Sequence, residues 1–166
     1  MASAFTDNNN VYASKFDKGH LPLPPANKLA VVTCMDARID PAASLGINLG
    51  EAHVIRNAGG RAPDAVRSLV ISQRLLGTRE IAVFHHTDCG MLTFKSEELH
   101  DIIKKDASPE AVKAADAIGD FLAFPKIDEN VKEDVEFLKG HPLILEGTKI
   151  SGWVYHVETG KVSQVV

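Results

Sequence analysis

Two short apolar, β-branched runs that break off abruptly in metal-binding and charged residues constrain this chain more than any other feature. LAVVTCMD, from Leu29 to Asp36, and REIAVFHHTDCG, from Arg79 to Gly90, are too short for buried helices and too uniformly apolar for strands with one wet face. They read as buried parallel strands, and HVIRNAGG at positions 53–60 reads as a third, ending in a glycine pair. Between the second and third of these in chain order, DAVRSLVISQRLLG places apolar residues at helical spacing, starts after Pro63 and stops at Gly77. Strands that alternate with helices predict an α/β fold: a mainly parallel central sheet flanked by helices on both faces. Such a sheet presents its chemistry at the carboxyl ends of its strands, where this chain sets its unusual residues.

Further along, FKSEELHDIIKK, PEAVKAADAIGDFLAF and NVKEDVEFLKGHP read as amphipathic helices, and LILEG as another short strand. The tail ISGWVYHVETGKVSQVV alternates around Glu158-Thr159-Gly160 and predicts a strand and hairpin. At the other end, VYASKFD predicts a short helix and LPLPP a stiff connector. Residues 1–27 are therefore expected to be an arm, with Phe5, Tyr12 and Phe16 supplying apolar surface for a neighbouring subunit. Residues 28–166 are expected to be one domain, as suits a chain of 166 residues.

Composition narrows the function. A formal charge of -4 with scattered basic residues argues against nucleic acid as a partner. No run approaches the length of apolar residues a bilayer requires, so no membrane association is expected. The opening MASAFTDNNN lacks the basic and apolar regions of a secretory signal, which makes the cytoplasm the expected location. Neither GxGxxG after the first strand nor GxxxxGK[ST] anywhere supports a dinucleotide or P-loop site.

The chain has two cysteines, Cys34 and Cys89. Cys34 ends the first strand, while His86 and Cys89 form a His-x-x-Cys chelate at the end of a later one. Thiolate and imidazole suit zinc, and three protein ligands leave a fourth position open for chemistry. The bland alternative is a pair of core cysteines and a satisfied histidine. Asp36 and Arg38 follow Cys34 directly, and there the carboxylate either completes the metal site or orients a water, with the Arg38 fork able to hold it off the metal. Asp88 caps the following turn or steadies the site, and Arg56 is expected to pair with a neighbouring carboxylate. His85 should point away from the ligands, in a structural or solvent-facing role. Asn57-Ala58-Gly59-Gly60 is a tight turn of bare backbone, either plain turn chemistry or a wall of the site.

Taken together and in register, CMDARID, VIRNAGG and HHTDCGM resemble the β-class carbonic anhydrases, in particular the short minimal-domain subgroup that also includes carbonyl sulfide and carbon disulfide hydrolases. The resemblance spans most of residues 28–166. It implies that Cys34, His86 and Cys89 bind Zn2+, that Asp36 and Arg38 form a gating dyad, and that the backbone at Gly59 and Gly60 lines the substrate path. It further implies a homodimer or dimer-based tetramer. The implied reaction is hydration of CO2 to bicarbonate by a metal-bound hydroxide. The alternative is hydrolysis of carbonyl sulfide to hydrogen sulfide and CO2 on the same scaffold, because both substrates are small, linear and neutral. A zinc-binding or redox-sensing protein without turnover is a third possibility, against which the intact Asp36–Arg38 pair speaks.

Overall fold

The computed structural model describes residues 2–166, so Met1 of the expected arm lies outside it. Five strands form one sheet: β1 (Leu29–Cys34), β2 (Ala52–Asn57), β3 (Glu80–His86), β4 (Lys149–His156) and β5 (Lys161–Gln164). Their order is β2-β1-β3-β4-β5, with the first four parallel and β5 antiparallel to β4. The chain leaves β1 for β2 on one side and β3 for β4 on the other. The carboxyl ends of β1 and β3 thus flank the point where the strand order reverses, the place where an open parallel sheet forms a crevice.

Among the described residues six α-helices accompany the sheet: α1 (Phe5–Ala13), α2 (Pro41–Leu45), α3 (Ala62–Leu76), α4 (Ser96–Asp106), α5 (Pro109–Ile118) and α6 (Ile127–Gly140). Ala62, Ala65 and Leu69 recur on one face of α3, as do Val135 and Leu138 on α6. Together they bury Ala30, Val32, Ile81 and Val83 from alternate positions of β1 and β3. The opposite sheet face, with Val31, Ala82 and Phe84, is covered more thinly, by Leu45, Ile47 and Trp153. The sheet is flanked by helices unequally, with α3 and α6 on one side and only the short α2 and its following loop on the other. Among the described residues, no helix is long and apolar enough to cross a membrane.

Several elements differ from expectation. LILEG forms turns and no strand, because the side chains of Gln73 and Thr148 occupy its backbone: Leu145 N–H donates to Gln73 Oε1 at 3.1 Å and Leu145 O accepts from Thr148 Oγ1. α5 stops at Ile118, well short of Phe124, since Gly119 takes a positive φ of 75° that ends the turn. α2, too short to show a periodic pattern, was not anticipated; Asp40 caps it and Pro41 opens it. α1 begins earlier than VYASKFD and buries no residue. The arm meets the domain near Ala26 and Asn27, whose N–H groups donate to Gly50 O and Glu51 O at 3.0 and 2.9 Å.

Candidate metal centre

Parallel pairing of β1 with β3 brings their two ends side by side, with Thr33 opposite Phe84. Cys34, His86 and Cys89 follow from that register: their ligand atoms all lie within 4.8 Å of one another, and all three residues are buried. The imidazole is already oriented. Nδ1–H donates to Thr87 O at 2.8 Å, which makes Nε2 the lone-pair nitrogen. That Nε2 is buried and has no hydrogen-bond partner. An orphaned buried acceptor is costly unless something fills the space, and between two sulfur atoms the fitting occupant is a thiophilic cation.

The charges agree with that. A hydrogen bond from the Cys89 thiol lowers Cys34 to about 4 against the opposing effect of burial, with further help from His86. Gly59 N–H also donates to Cys34 Sγ, at 3.3 Å. The same thiol contact pushes Cys89 up, and burial adds to the shift. A bound cation would favour the thiolate form of both sulfurs. Burial works against protonation of His86, yet the Cys34 sulfur raises its pKa overall.

Asp36 stands at the rim. Arg38 holds it in a fork, Nε to Oδ1 at 3.0 Å and Nη2 to Oδ2 at 2.8 Å, while the Arg38 backbone N–H adds a bond at 2.9 Å. These contacts keep the Asp36 carboxyl well below the usual range, and Oδ2 lies 3.9 Å from His86 Nε2. Asp88 acts on the dyad and not on the ligands: its Oδ2 accepts from Arg38 Nη1 at 2.7 Å and its carbonyl from Nη2 at 3.0 Å. The turn that allows this puts Asp88 at φ 53°, a left-handed conformation aspartate tolerates.

Other residues depart from their expected roles. Arg56 pairs with no carboxylate; it donates to the backbone oxygens of Cys34 (3.0 Å) and Asp36 (2.7 Å) and so fixes the turn between ligand and dyad. His85 does point away from the ligands but is fully buried, not solvent-facing, bonded through Nε2–H to Asp134 at 3.1 Å and stacked on Phe124. Gly59 lines the cleft beside the cysteines, whereas Gly60 does not. Gly60 instead packs against β1 and β3, where an added Cβ would meet Phe84 O at 2.7 Å and Cys34 N at 2.9 Å.

The cleft itself encloses about 520 Å3, and Met35, Met91, Phe94, Leu99 and Phe121 give it apolar walls. None of these was singled out from sequence, since nothing local distinguishes a lining Met or Phe from one in the core. A larger hollow of about 740 Å3 lies alongside under α4, but it reaches none of the three ligand residues.

The carbonic anhydrase family model matches residues 29–162. β-Carbonic anhydrase 1 of Mycobacterium tuberculosis is 45% identical over 159 residues, covering 95% of this chain and 93% of that one. A carbon disulfide hydrolase of Acidianus sp. is 38% identical over 170 residues, covering 91% and 82%. Among solved structures, the carbonic anhydrase from Glaciozyma antarctica superposes with a TM-score of 0.91 at 56% identity, covering 98% of this chain and 95% of that one. With the family model spanning most of the chain and relatives this similar, this chain is an enzyme of the β-carbonic anhydrase family, whose members work on zinc.

Proposed function

We propose that the chain hydrates CO2 to bicarbonate, with Cys34, His86 and Cys89 as zinc ligands and Asp36 and Arg38 as the dyad beside them. The observation that carries this reading is the orphaned, buried His86 Nε2 between two thiols, with an ionised carboxylate held at its edge. Zinc, when bound, supplies a Lewis acid that brings the pKa of water near 7, a value that belongs to the three-histidine carbonic anhydrase site.

The chain's own residues do the rest. Asp36, kept as an acceptor by Arg38, receives a hydrogen bond from the attacking water and sets its direction. With one Arg38 bond on each carboxylate oxygen, Asp36 would be restrained from joining the three residues that would hold the metal while still able to accept from water, and Asp88 in turn keeps Arg38 in place. Gly59 N–H stabilises charge on the Cys34 sulfur. Met35, Met91 and Phe94 offer an uncharged substrate a route that a charged one would avoid. The 38% identity to a carbon disulfide hydrolase favours a second reading, hydrolysis of carbonyl sulfide or a related linear sulfur substrate, since the same walls admit it.

The exposed Phe5, Tyr12 and Phe16 of the arm support its packing on a neighbouring subunit, in a homodimer or a dimer-based tetramer. Two free thiols as ligands suit a reducing compartment, the cytoplasm. Stopped-flow CO2 hydration during zinc titration of metal-free protein tests the main reading: activity should rise to one zinc per chain and then level off. No activity at stoichiometric zinc would refute it.

A further inference from the structure

Asp134 is a carboxylate on α6 with its side chain 1% exposed, and no step of the reaction uses it. Arg61, directly after the Gly59-Gly60 turn, grips it bidentately, Nε to Oδ2 at 3.1 Å and Nη2 to Oδ1 at 3.0 Å. Ala62 N–H (2.9 Å) and His85 Nε2–H (3.1 Å) fill its remaining acceptor sites. A buried pair of this kind is weak grounds for stability, because well-packed apolar residues commonly do as well in its place. Its third arm points elsewhere: Arg61 Nη1 donates to Leu122 O at 2.5 Å.

Leu122 is the strained point of the segment that carries Phe121 to the cleft. Its φ is 60°, a left-handed conformation that a branched side chain rarely adopts without external support. The segment around it is tied by Phe121 N–H to Ser96 Oγ (3.1 Å), by Leu122 N–H to Asp120 Oδ1 (2.8 Å) and by Phe124 N–H to Met91 O (3.2 Å). Phe121 from this segment faces the cleft. The Phe124 ring lies under the Arg61 guanidinium at 5.5 Å and on His85 at 5.0 Å. It also abuts Gly59, where an added Cβ would come within 3.1 Å of Phe124 Cε1. Arg61 thus ties together two segments that each give a residue to the cleft: Asn57, which exchanges bonds of 2.7 and 2.9 Å with its backbone, closes the turn that holds Gly59, and Leu122 O links it to the segment that holds Phe121.

We propose that Arg61, anchored by Asp134, is a positioning residue that sets the Phe121–Phe124 segment, and through it the Phe121 side of the cleft, and thereby governs how substrate is admitted. The proposal rests on reading that cleft as the route of a neutral substrate. Lysine cannot replace Arg61, since a single ammonium cannot fork onto a carboxylate and reach Leu122 O together.

The test uses the full zinc-loaded chain carrying Arg61→Met with Asp134→Leu, which removes the pair without leaving a buried charge. Backbone amide exchange is followed together with CO2 hydration kinetics. The expected result is exchange about tenfold faster across Phe121–Phe124, the factor for losing one charge-assisted hydrogen bond, with β1 and β3 unchanged. KM should rise more than kcat falls. Unchanged exchange in that segment, acceleration spread evenly through the sheet, or faster exchange with KM unmoved would each overturn the proposal. If the double variant does not fold, Arg61→Lys is read by the same criteria. Exchange is measured without turnover, so failure of the wild type to hydrate CO2 would refute the assigned reaction and leave the exchange result to stand on its own.

Discussion

The molecule holds two arginine–aspartate forks that differ in nearly everything except geometry. Arg38 and Asp36 are two residues apart, at the mouth of the site, with the Arg38 side chain 49% exposed. Arg61 and Asp134 are 73 residues apart and buried, at 10% and 1%. At the mouth, solvent screens the pair, so its contribution to folding is small and its worth lies in keeping one carboxylate ionised and aimed. In the interior, neither charge can be left alone, so breaking the pair from one side disturbs the fold before it disturbs the chemistry. On the proposed reading, the same side-chain pair thus serves reaction at one depth and architecture at another.

Substitutions can separate the two roles. Asp134→Ala strands the Arg61 charge and should cost about 3–5 kcal/mol in urea-induced unfolding. A loss below about 1 kcal/mol would show that Arg61 reaches water and that the contrast with the surface pair is overstated. Asp36→Ala should retain stoichiometric zinc and its unfolding midpoint while kcat/KM for CO2 falls roughly 10²–10³-fold. Near-normal turnover by that variant would remove the dyad from the reaction.

Acid should distinguish the forks as well. Burial opposes ionisation of Asp134, but His85, the Ala62 N–H and Arg61 prevail and hold its carboxyl below the ordinary 3.8. Folded protein therefore takes up that proton less readily than unfolded chain. The stability Asp134 contributes is complete above 3.8 and is lost as pH falls below it. Between neutral pH and that acidic range the wild type should consequently lose more stability than the Arg61→Met, Asp134→Leu variant, which has no carboxylate to protonate there. The smallest effect is expected at Asp88, whose exposed carboxylate supports Arg38 from outside: Asp88→Asn should lower kcat/KM a few-fold, about 1 kcal/mol or less in transition-state terms.

The first fork was legible in the sequence and the second was not, for a physical reason. Asp36 and Arg38 sit beside Cys34, so chain proximity alone brings them together, and the abrupt end of β1 marks the place. The parallel sheet was equally legible, because β1 and β3 are continuous apolar runs. Asp134, by contrast, sits in NVKEDVEFLKGHP among Lys132, Glu133 and Glu136, and its composition is that of a wet helix face. Only the packing of α6 against the sheet turns it inward. For His85 the sequence left two roles open: alternation along β3 aimed it away from Cys34 and Cys89, and of the structural and solvent-facing alternatives the packing of Phe124 selects the structural one. The LILEG strand failed because a side chain, Gln73, occupied backbone that a ladder would have used.

The assigned reaction is tested most directly by the ratio of kcat/KM for carbonyl sulfide to that for CO2, measured on one zinc-saturated preparation. A ratio far below one, with rapid CO2 hydration, is the expected result. A ratio well above one would contradict the assignment and make the chain a hydrolase of linear sulfur substrates built on the same strand-end site.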